Sequence, residues 1–441
     1  MATSSDVSCP STNAVQPLNL REQMDSSTPE FEQVDGGVTA ALGFKAAGVH
    51  AGFRRNPERL DMALVVADEP VATAGVFTKN VFCSAPVIVD REQLGGVSYG
   101  TMRAVVINSG IANAATGSIG LENAYKTTEL VSEVVGCPKE EVLVASTGVI
   151  GQHLNLKPFD TGLPEAFLKL SRKGGHDAAV AIMTTDTHPK EAAVRFSGDD
   201  IGYPGASFTV GGMAKGSGMI MPNMATMISV ISTDAPVAPD LLYQALKRAA
   251  DMSFNKVTVD SDTSTNDTCI LMASGQAAPG QDMFEPGTAA FARFEAALQS
   301  VCISIARMMA ADGEGASRLI TIRLVGARND EDADKAARAV ANSPLLKCAV
   351  FGHDANWGRV AAALGKSGAQ FNQEDVAIDI MGLPVCRDGL TVEYDEDKAL
   401  ELFELPEIEI DIDLGAGDAQ TTMWTCDFTH EYVSINGDYR S

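Results

Sequence analysis

The chain has 441 residues, 33 basic and 58 acidic side chains and a formal net charge of −25, a balance that argues against nucleic acid and anionic membrane surfaces as partners. Hydrophobic residues make up 45%, enough for a sizeable core in two or three domains or in one large α/β unit. Eight cysteines (Cys9, Cys83, Cys137, Cys269, Cys302, Cys348, Cys386, Cys426) lack any C-x-x-C spacing, and six histidines (His50, His153, His176, His188, His353, His430) lack H-E-x-x-H spacing. Those patterns speak against a zinc site or a disulfide framework and fit reduced thiols in a cytoplasm.

Residues 1–35 hold one basic residue, Arg21, against six acidic ones and no apolar core, so neither a secretory signal nor an Arg-rich transit peptide is expected. Their Ser, Thr, Pro and Gln content predicts a disordered or loosely docked lead-in. From Gly36 the pattern is mixed α/β. Strands are predicted at Met62–Ala67, Ala104–Ile107 and Val142–Ala145, with a helix over Glu122–Val135 closed by Gly136 and Pro138. The run from Gly211 to Thr226 places four glycines ahead of a threonine and leads into the apolar strand Met227–Ile231. An amphipathic helix is predicted at Asp240–Met252. The longest helix is predicted at Thr288–Ala310, with Phe291, Phe294, Leu298, Val301, Ile305 and Met308 on its apolar stripe. It ends at Asp312-Gly313-Glu314-Gly315. Arg318–Leu324 reads as a half-buried strand, and Glu407–Leu414 as one with four carboxylates on a solvated face. No stretch approaches the roughly 20 apolar residues of a membrane span.

Thr226 is the residue with the most chemistry in prospect. A threonine hydroxyl is a weak nucleophile until a base adjoins it, and an N-terminal threonine carries that base as its own α-amine. Cutting Ala225–Thr226 would create one. Lys215-Gly216-Ser217-Gly218-Met219 followed by Met224-Ala225-Thr226-Met227 resembles the self-cleavage segment of the ornithine acetyltransferases, the bifunctional glutamate N-acetyltransferases of arginine biosynthesis. Further segments resemble the family in the same order: Ser146–Gly151, Met183–Thr187, Asp260–Asp267, Asp312–Ala316, Asn356–Arg359 and the tail Tyr432–Ser441. Only about the first 35 residues fall outside the likeness.

The resemblance implies an α/β, layered helix/sheet fold of the ornithine acetyltransferase type, matured into an α chain of residues 36–225 and a β chain of residues 226–441, in an α₂β₂ heterotetramer. It implies acetyl transfer from N-acetylornithine to glutamate through an acetyl-threonine. Thr226 would be the nucleophile, and Thr147 and Gly148 the oxyanion pair. Lys215, Glu314, Asn436, Ser441 and Thr184 or Thr185 would contact substrate. Lys215 suits a carboxylate and Glu314 an ammonium. If the two threonines lay on a strand, alternation would turn only one toward the pocket. No metal or cofactor is implied; acetyl-CoA serves bifunctional members as an alternative donor. Asp260–Asp267 lacks the glycine and distal glutamate of a calcium loop and reads as a polar segment beside the site.

The chain departs from the family at Ile111, where an amide is usual, at Ala115, where a cysteine is usual, and at Ser261, where glycine is common. Two rival readings remain: a self-cleaving threonine amidase or aminopeptidase-like hydrolase, which would admit water to the acyl-enzyme, and an uncleaved, inactive binding protein.

Overall fold

The run predicted at Met62–Ala67 begins a 16-residue strand, Met62–Phe77, whose successive side chains enter two different cores. Ala63, Val65 and Ala67 enter one and Met62, Leu64 and Val66 the other, as the two-residue period of a strand buried on both faces requires. The computed structural model describes residues 15–25, 31–221 and 227–438. The chain divides into a larger unit, Ser27–Ile320 with Met423–Ser441, and a smaller one, Met1–Ser26 with Thr321–Thr422.

The larger unit is built on nine strands: β1 Glu32–Gln33, β2 Phe44–Val49, β3 Met62–Phe77, β4 Tyr99–Ile111, β5 Val142–Val149, β6 Lys190–Ser197, β7 Ser207–Lys215, β8 Ile228–Thr233 and β9 Thr268–Ala273. They run in the order β1-β6-β7-β8-β9-β3-β4-β5, with β2 paired to β3. Most neighbours are antiparallel; β4–β5 and β8–β9 are parallel. Twelve helices of the described residues follow in chain order. The first five are α1 Leu20–Asp25, α2 Ala85–Gln93, α3 Gly117–Val135, α4 Lys157–Lys169 and α5 Gly175–Ile182. Next come α6 Pro239–Met252, α7 Ala289–Ala311, α8 Asp330–Ala341 and α9 Pro344–Phe351. The last are α10 Trp357–Gly365, α11 Glu396–Leu402 and α12 His430–Gly437.

Helices lie on both sides of the strands. Phe294, Leu298, Val301 and Ile305 of α7 and Leu242 and Leu246 of α6 share a core with Val210, Ile231 and Leu271. Residues of α2, α3 and α4 pack instead on Leu64, Val106 and Val144. α7 is long and apolar enough to cross a membrane by length and composition. Its Phe294, Leu298, Val301 and Ile305 are fully buried in the core, so it serves here as a core helix. The apolar period located it to within a residue, and the Thr288 hydroxyl accepts the Phe291 N–H at its start.

The smaller unit carries β10 Leu319–Ala327, β11 Ala377–Ile380, β12 Leu383–Arg387, β13 Leu390–Thr391, β14 Glu407–Asp413 and β15 Ala419–Cys426, in the order β13-β12-β11-β14-β10-β15. Here the expected solvated carboxylate face holds only in part. β14 is an interior strand: Glu407, Glu409 and Asp413 are half-buried, Asp411 is 7% exposed, and Asp379, opposite Asp411 on β11, is fully buried. Arg323 bonds Asp411 at 2.8 Å and Glu409 at 2.7 Å, and Arg387 lies 2.6 Å from Asp379. Burial lifts the Asp411 carboxyl and the Arg323 guanidinium opposes that lift. Strand alternation predicted the two faces correctly, but period alone carries no information on what covers a face. Part of the cover is the lead-in itself. The Leu18 N–H donates to Asp379 at 2.7 Å, Arg387 donates to the Gln16 carbonyl at 2.9 Å, and Leu20 is buried. Residues 15–25 are therefore docked, the second of the two alternatives expected of the lead-in; residues 1–14 and 26–30 lie outside the described residues.

Candidate active site

β7 and β8 are antiparallel neighbours, with Lys215 paired to Ile228. The predicted cut therefore falls in the connection between two adjacent interior strands of one sheet, not between domains. Ala225 and Thr226 lie outside the described residues, as does Ser441. Their flanks are fixed. Met219 and Ile220 donate their N–H groups to the Asp260 carboxylate at 2.6 and 2.9 Å, and the Thr263 hydroxyl donates to the Met221 carbonyl at 3.0 Å. Beyond the gap, the Thr268 N–H donates to the Met227 carbonyl at 2.9 Å.

A cavity of about 290 Å³ opens here, and its wall includes Thr147, Gly148, Thr184, Thr185, Lys215, Met227, Glu314 and Asn436. The described residues expected to act on substrate are thus brought together. Its volume lies near the lower end of the roughly 300–1,000 Å³ usual for small-molecule sites, a size suited to an acetylated amino acid. Both threonines line it. Thr184 and Thr185 sit on the bend between α5 and β6 and not on a strand, so the alternation that would have turned one away does not operate.

Thr147 and Gly148 end β5, in parallel register with Ser109 and Gly110 of β4. Gly148 has φ +132°, and a Cβ there would come within 2.2 Å of the Gly110 carbonyl carbon. Glycine is required on both grounds. Asn266 ties this end of β5 as well, its side-chain amide donating to the Ala112 carbonyl at 2.6 Å and the Ser146 carbonyl at 2.8 Å.

Glu314, 7% exposed, accepts the Asn436 side-chain amide at 2.7 Å, and its N–H donates to the Ser217 carbonyl at 3.0 Å. α12 thus delivers Asn436, and the turn after α7 delivers Glu314. Gly218 gives the carboxylate room, since a Cβ there would stand 2.3 Å from the Glu314 carboxyl carbon. On the same cavity wall stands Lys215, whose ammonium burial pulls below the ordinary lysine range, opposed by the charges of Asp186 and Glu314. Burial would raise the Asp186 carboxyl too, but the ammoniums of Lys215 and Lys190 prevail and hold it well below the carboxylate range.

The lowered Lys215 value sets a sign. A carboxylate-binding ammonium is charged below its pKa and loses its charge as pH rises through it. Affinity for a substrate carboxylate is therefore expected to weaken on alkalinisation at a pH below the ordinary lysine range of about 10.4. Measuring KM against pH checks this. In Lys215→Arg the weakening should vanish, because guanidinium stays charged.

The model of the ArgJ family matches residues 45–441. The chain belongs to the ArgJ family. Among ArgJ relatives, an arginine biosynthesis bifunctional protein ArgJ from Symbiobacterium thermophilum is 48% identical over 412 residues, covering 93% of this chain and 100% of its own length. The protein of the same name from Chlorobaculum tepidum is 44% identical, covering 90% of this chain and 96% of its own. A solved chain of ornithine acetyltransferase complexed with ornithine, from Mycobacterium tuberculosis, is 40% identical. It covers 44% of this chain and 100% of its own, with a TM-score of 0.40.

The ArgJ motifs marked Thr147, Lys215, Glu314 and Asn436 one by one, and the segment Asp260–Asp267 only as a whole. Asn266 and Asp267 line the cavity, and the polar run Asp260–Asp267 was their signal. Burial pushes the Asp267 carboxyl well above the carboxylate range. The Met227 N–H donates to it, and its Oδ2 has no hydrogen-bond partner among the described residues. Burial, with Asp260 and Glu314 nearby, pushes the Tyr432 hydroxyl up to about 12, so it remains a proton donor at neutral pH. The departures from the ArgJ pattern fall beside the site. Ile111 is not part of the described cavity wall, where Ala112 is. Ser261 adopts φ +65°, the left-handed conformation that explains why glycine is common there.

Proposed function

We propose that this chain cuts itself between Ala225 and Thr226 and then transfers acetyl groups from N-acetylornithine to glutamate. The observation that carries the reading is the convergence on one cavity of an oxyanion pair, a cation and an anion, beside the strand that begins just after Thr226. The precursor hydroxyl of Thr226 attacks the Ala225 carbonyl, the Ala225–Thr226 C–N bond breaks to leave an ester and a free Thr226 α-amine, and water hydrolyses that ester to release the Ala225 carboxylate and restore the hydroxyl. In turnover, Thr226 Oγ attacks the acetyl carbonyl of N-acetylornithine and its proton passes to that α-amine. Thr147 and Gly148 face the negative oxygen that develops. Collapse expels the ornithine amine, which takes the proton back, and leaves the acetyl group as an ester on Thr226. The glutamate amine then attacks the ester and departs as N-acetylglutamate.

Lys215 receives the substrate carboxylate, and Glu314 with Asn436 receives the side-chain ammonium. Ser441 joins them from the chain end, and Thr184 and Thr185 supply hydroxyls to the same wall. Acetyl-CoA is an alternative donor in this scheme, no cofactor takes part, and the two chains assemble as an α₂β₂ heterotetramer in the cytoplasm.

Incubation with N-acetylornithine and glutamate is expected to yield N-acetylglutamate and ornithine in equal amounts. Free acetate in place of N-acetylglutamate would instead mark a hydrolase. Glu314→Gln is expected to raise KM for N-acetylornithine about 10–100-fold, the loss of one charge-assisted contact, while self-cleavage proceeds. Equal loss of both activities would show that Glu314 supports the fold and not the substrate.

A further inference from the structure

Beneath the cavity lies a charged cluster to which the proposed reaction assigns no role. Lys190, at the start of β6, is fully buried. Its ammonium sits 2.7 Å from Asp186 Oδ1 and 2.5 Å from Asp312 Oδ2. Each carboxylate has a second duty. Asp186 accepts the Gly216 N–H at 2.7 Å and the Thr184 N–H at 2.9 Å, so it holds the residue after Lys215 and one hydroxyl of the cavity wall. Asp312 accepts the Thr187 N–H at 3.0 Å, and its own carbonyl accepts the Ser217 hydroxyl at 2.7 Å. Ser217 in turn accepts the Glu314 N–H at 3.0 Å. One lysine therefore ties the strand end that carries Lys215 to the turn that carries Glu314.

A buried ion cluster is weak evidence of stability, because desolvation offsets much of the attraction; its best-attested use is to fix register. Here the register it fixes lies between two charged residues that line one cavity. We propose that the Asp186–Lys190–Asp312 triad is a length gauge. It sets the separation of Lys215 and Glu314 and so selects acyl donors whose carboxylate and side-chain ammonium are spaced as in ornithine, against homologues one methylene shorter or longer. The proposal rests on reading Lys215 and Glu314 as the carboxylate and ammonium anchors. Hydrophobic pockets discriminate one methylene only about 10–200-fold. A rigid pair of charged anchors adds to that, because a chain of the wrong length leaves one buried charge unmet.

The test compares Nα-acetylated 2,4-diaminobutyrate, ornithine and lysine as donors to glutamate, in the processed wild-type enzyme and in two variants. Asp312→Asn leaves Lys190 paired with Asp186, so the fold is retained while one tie is weakened. Ser217→Ala cuts the hydroxyl tie alone. The expected result is a fall of about tenfold or more in the ratio of kcat/KM for ornithine over its homologues, with a smaller change in kcat for ornithine itself. If both variants lose activity on all three donors equally, with the ratio unchanged, the triad is structural only and the gauge is overturned. A wild-type enzyme with no transfer from N-acetylornithine would overturn the anchor reading itself, a result separable from an unchanged ratio.

Discussion

Replacing Thr226 with alanine is expected to leave a single chain near 46.3 kDa with no acetyl transfer. Alanine removes the hydroxyl that attacks the Ala225 carbonyl, so no ester forms and the chain is not cut. Without the cut there is no free α-amine, and without the hydroxyl nothing carries the acetyl group. Two functions are lost through one atom, and the loss in kcat is expected to be on the order of 10⁴-fold or more, as for other nucleophile deletions. Thr226→Ser keeps the oxygen and should still process and turn over. An intact-mass spectrum and an acetyl-transfer assay on the two variants decide the matter. A Thr226→Ala protein that still appears as two chains meeting at residue 226 would remove Thr226 from the mechanism.

Thr147→Val has the next largest expected effect, about 10²–10³-fold in kcat with little change in KM, as for the loss of one oxyanion donor. Valine has nearly the shape of threonine and fits the end of β5, so the change removes a hydrogen-bond donor and little else. Thr147 and Gly148, near the end of β5, are held by their neighbours. Gly148 is pressed against Gly110, and Asn266 grips the carbonyls of Ala112 and Ser146. A donor fixed before reaction pays no reorganisation when negative charge appears on the oxygen. Self-cleavage should slow as well, since the same oxygen charge develops on the Ala225 carbonyl. A raised KM with unchanged kcat would make Thr147 a substrate-binding residue and vacate the oxyanion role.

The sequence carried its signals unevenly. Helix α7 was legible because its apolar stripe repeats over six turns and is capped by Thr288 at its start. Strand β2 passed unnoticed: Phe44-Lys45-Ala46-Ala47-Gly48-Val49 has weak strand composition, and pairing along β3 fixes it. Strand β3 was seen only in its first part, because Glu69 and Pro70 interrupt the apolar run that the structure carries through. The row of acids on β14 alternates as predicted, but the Arg323 and Arg21 that pair with its Asp411 and Glu409 come from outside the strand.

Residue identity by itself determined the chemistry in prospect: a threonine after a Gly-rich run, a cation at 215, an anion at 314 and a Thr-Gly pair at 147–148, in an order that marks the family. Those are covalent facts, and short motifs preserve them. Tertiary structure alone decided that Thr147, Lys215, Glu314 and Asn436 face one cavity, and that both Thr184 and Thr185 reach it. It also decided that a fully buried lysine, 25 positions from Lys215 in the chain, pairs with both Asp186 and Asp312. These are distances between segments remote in sequence, set by the pairing of β6 with β7 and of β7 with β8, and sequence period specifies a residue's face but not its partner across the sheet.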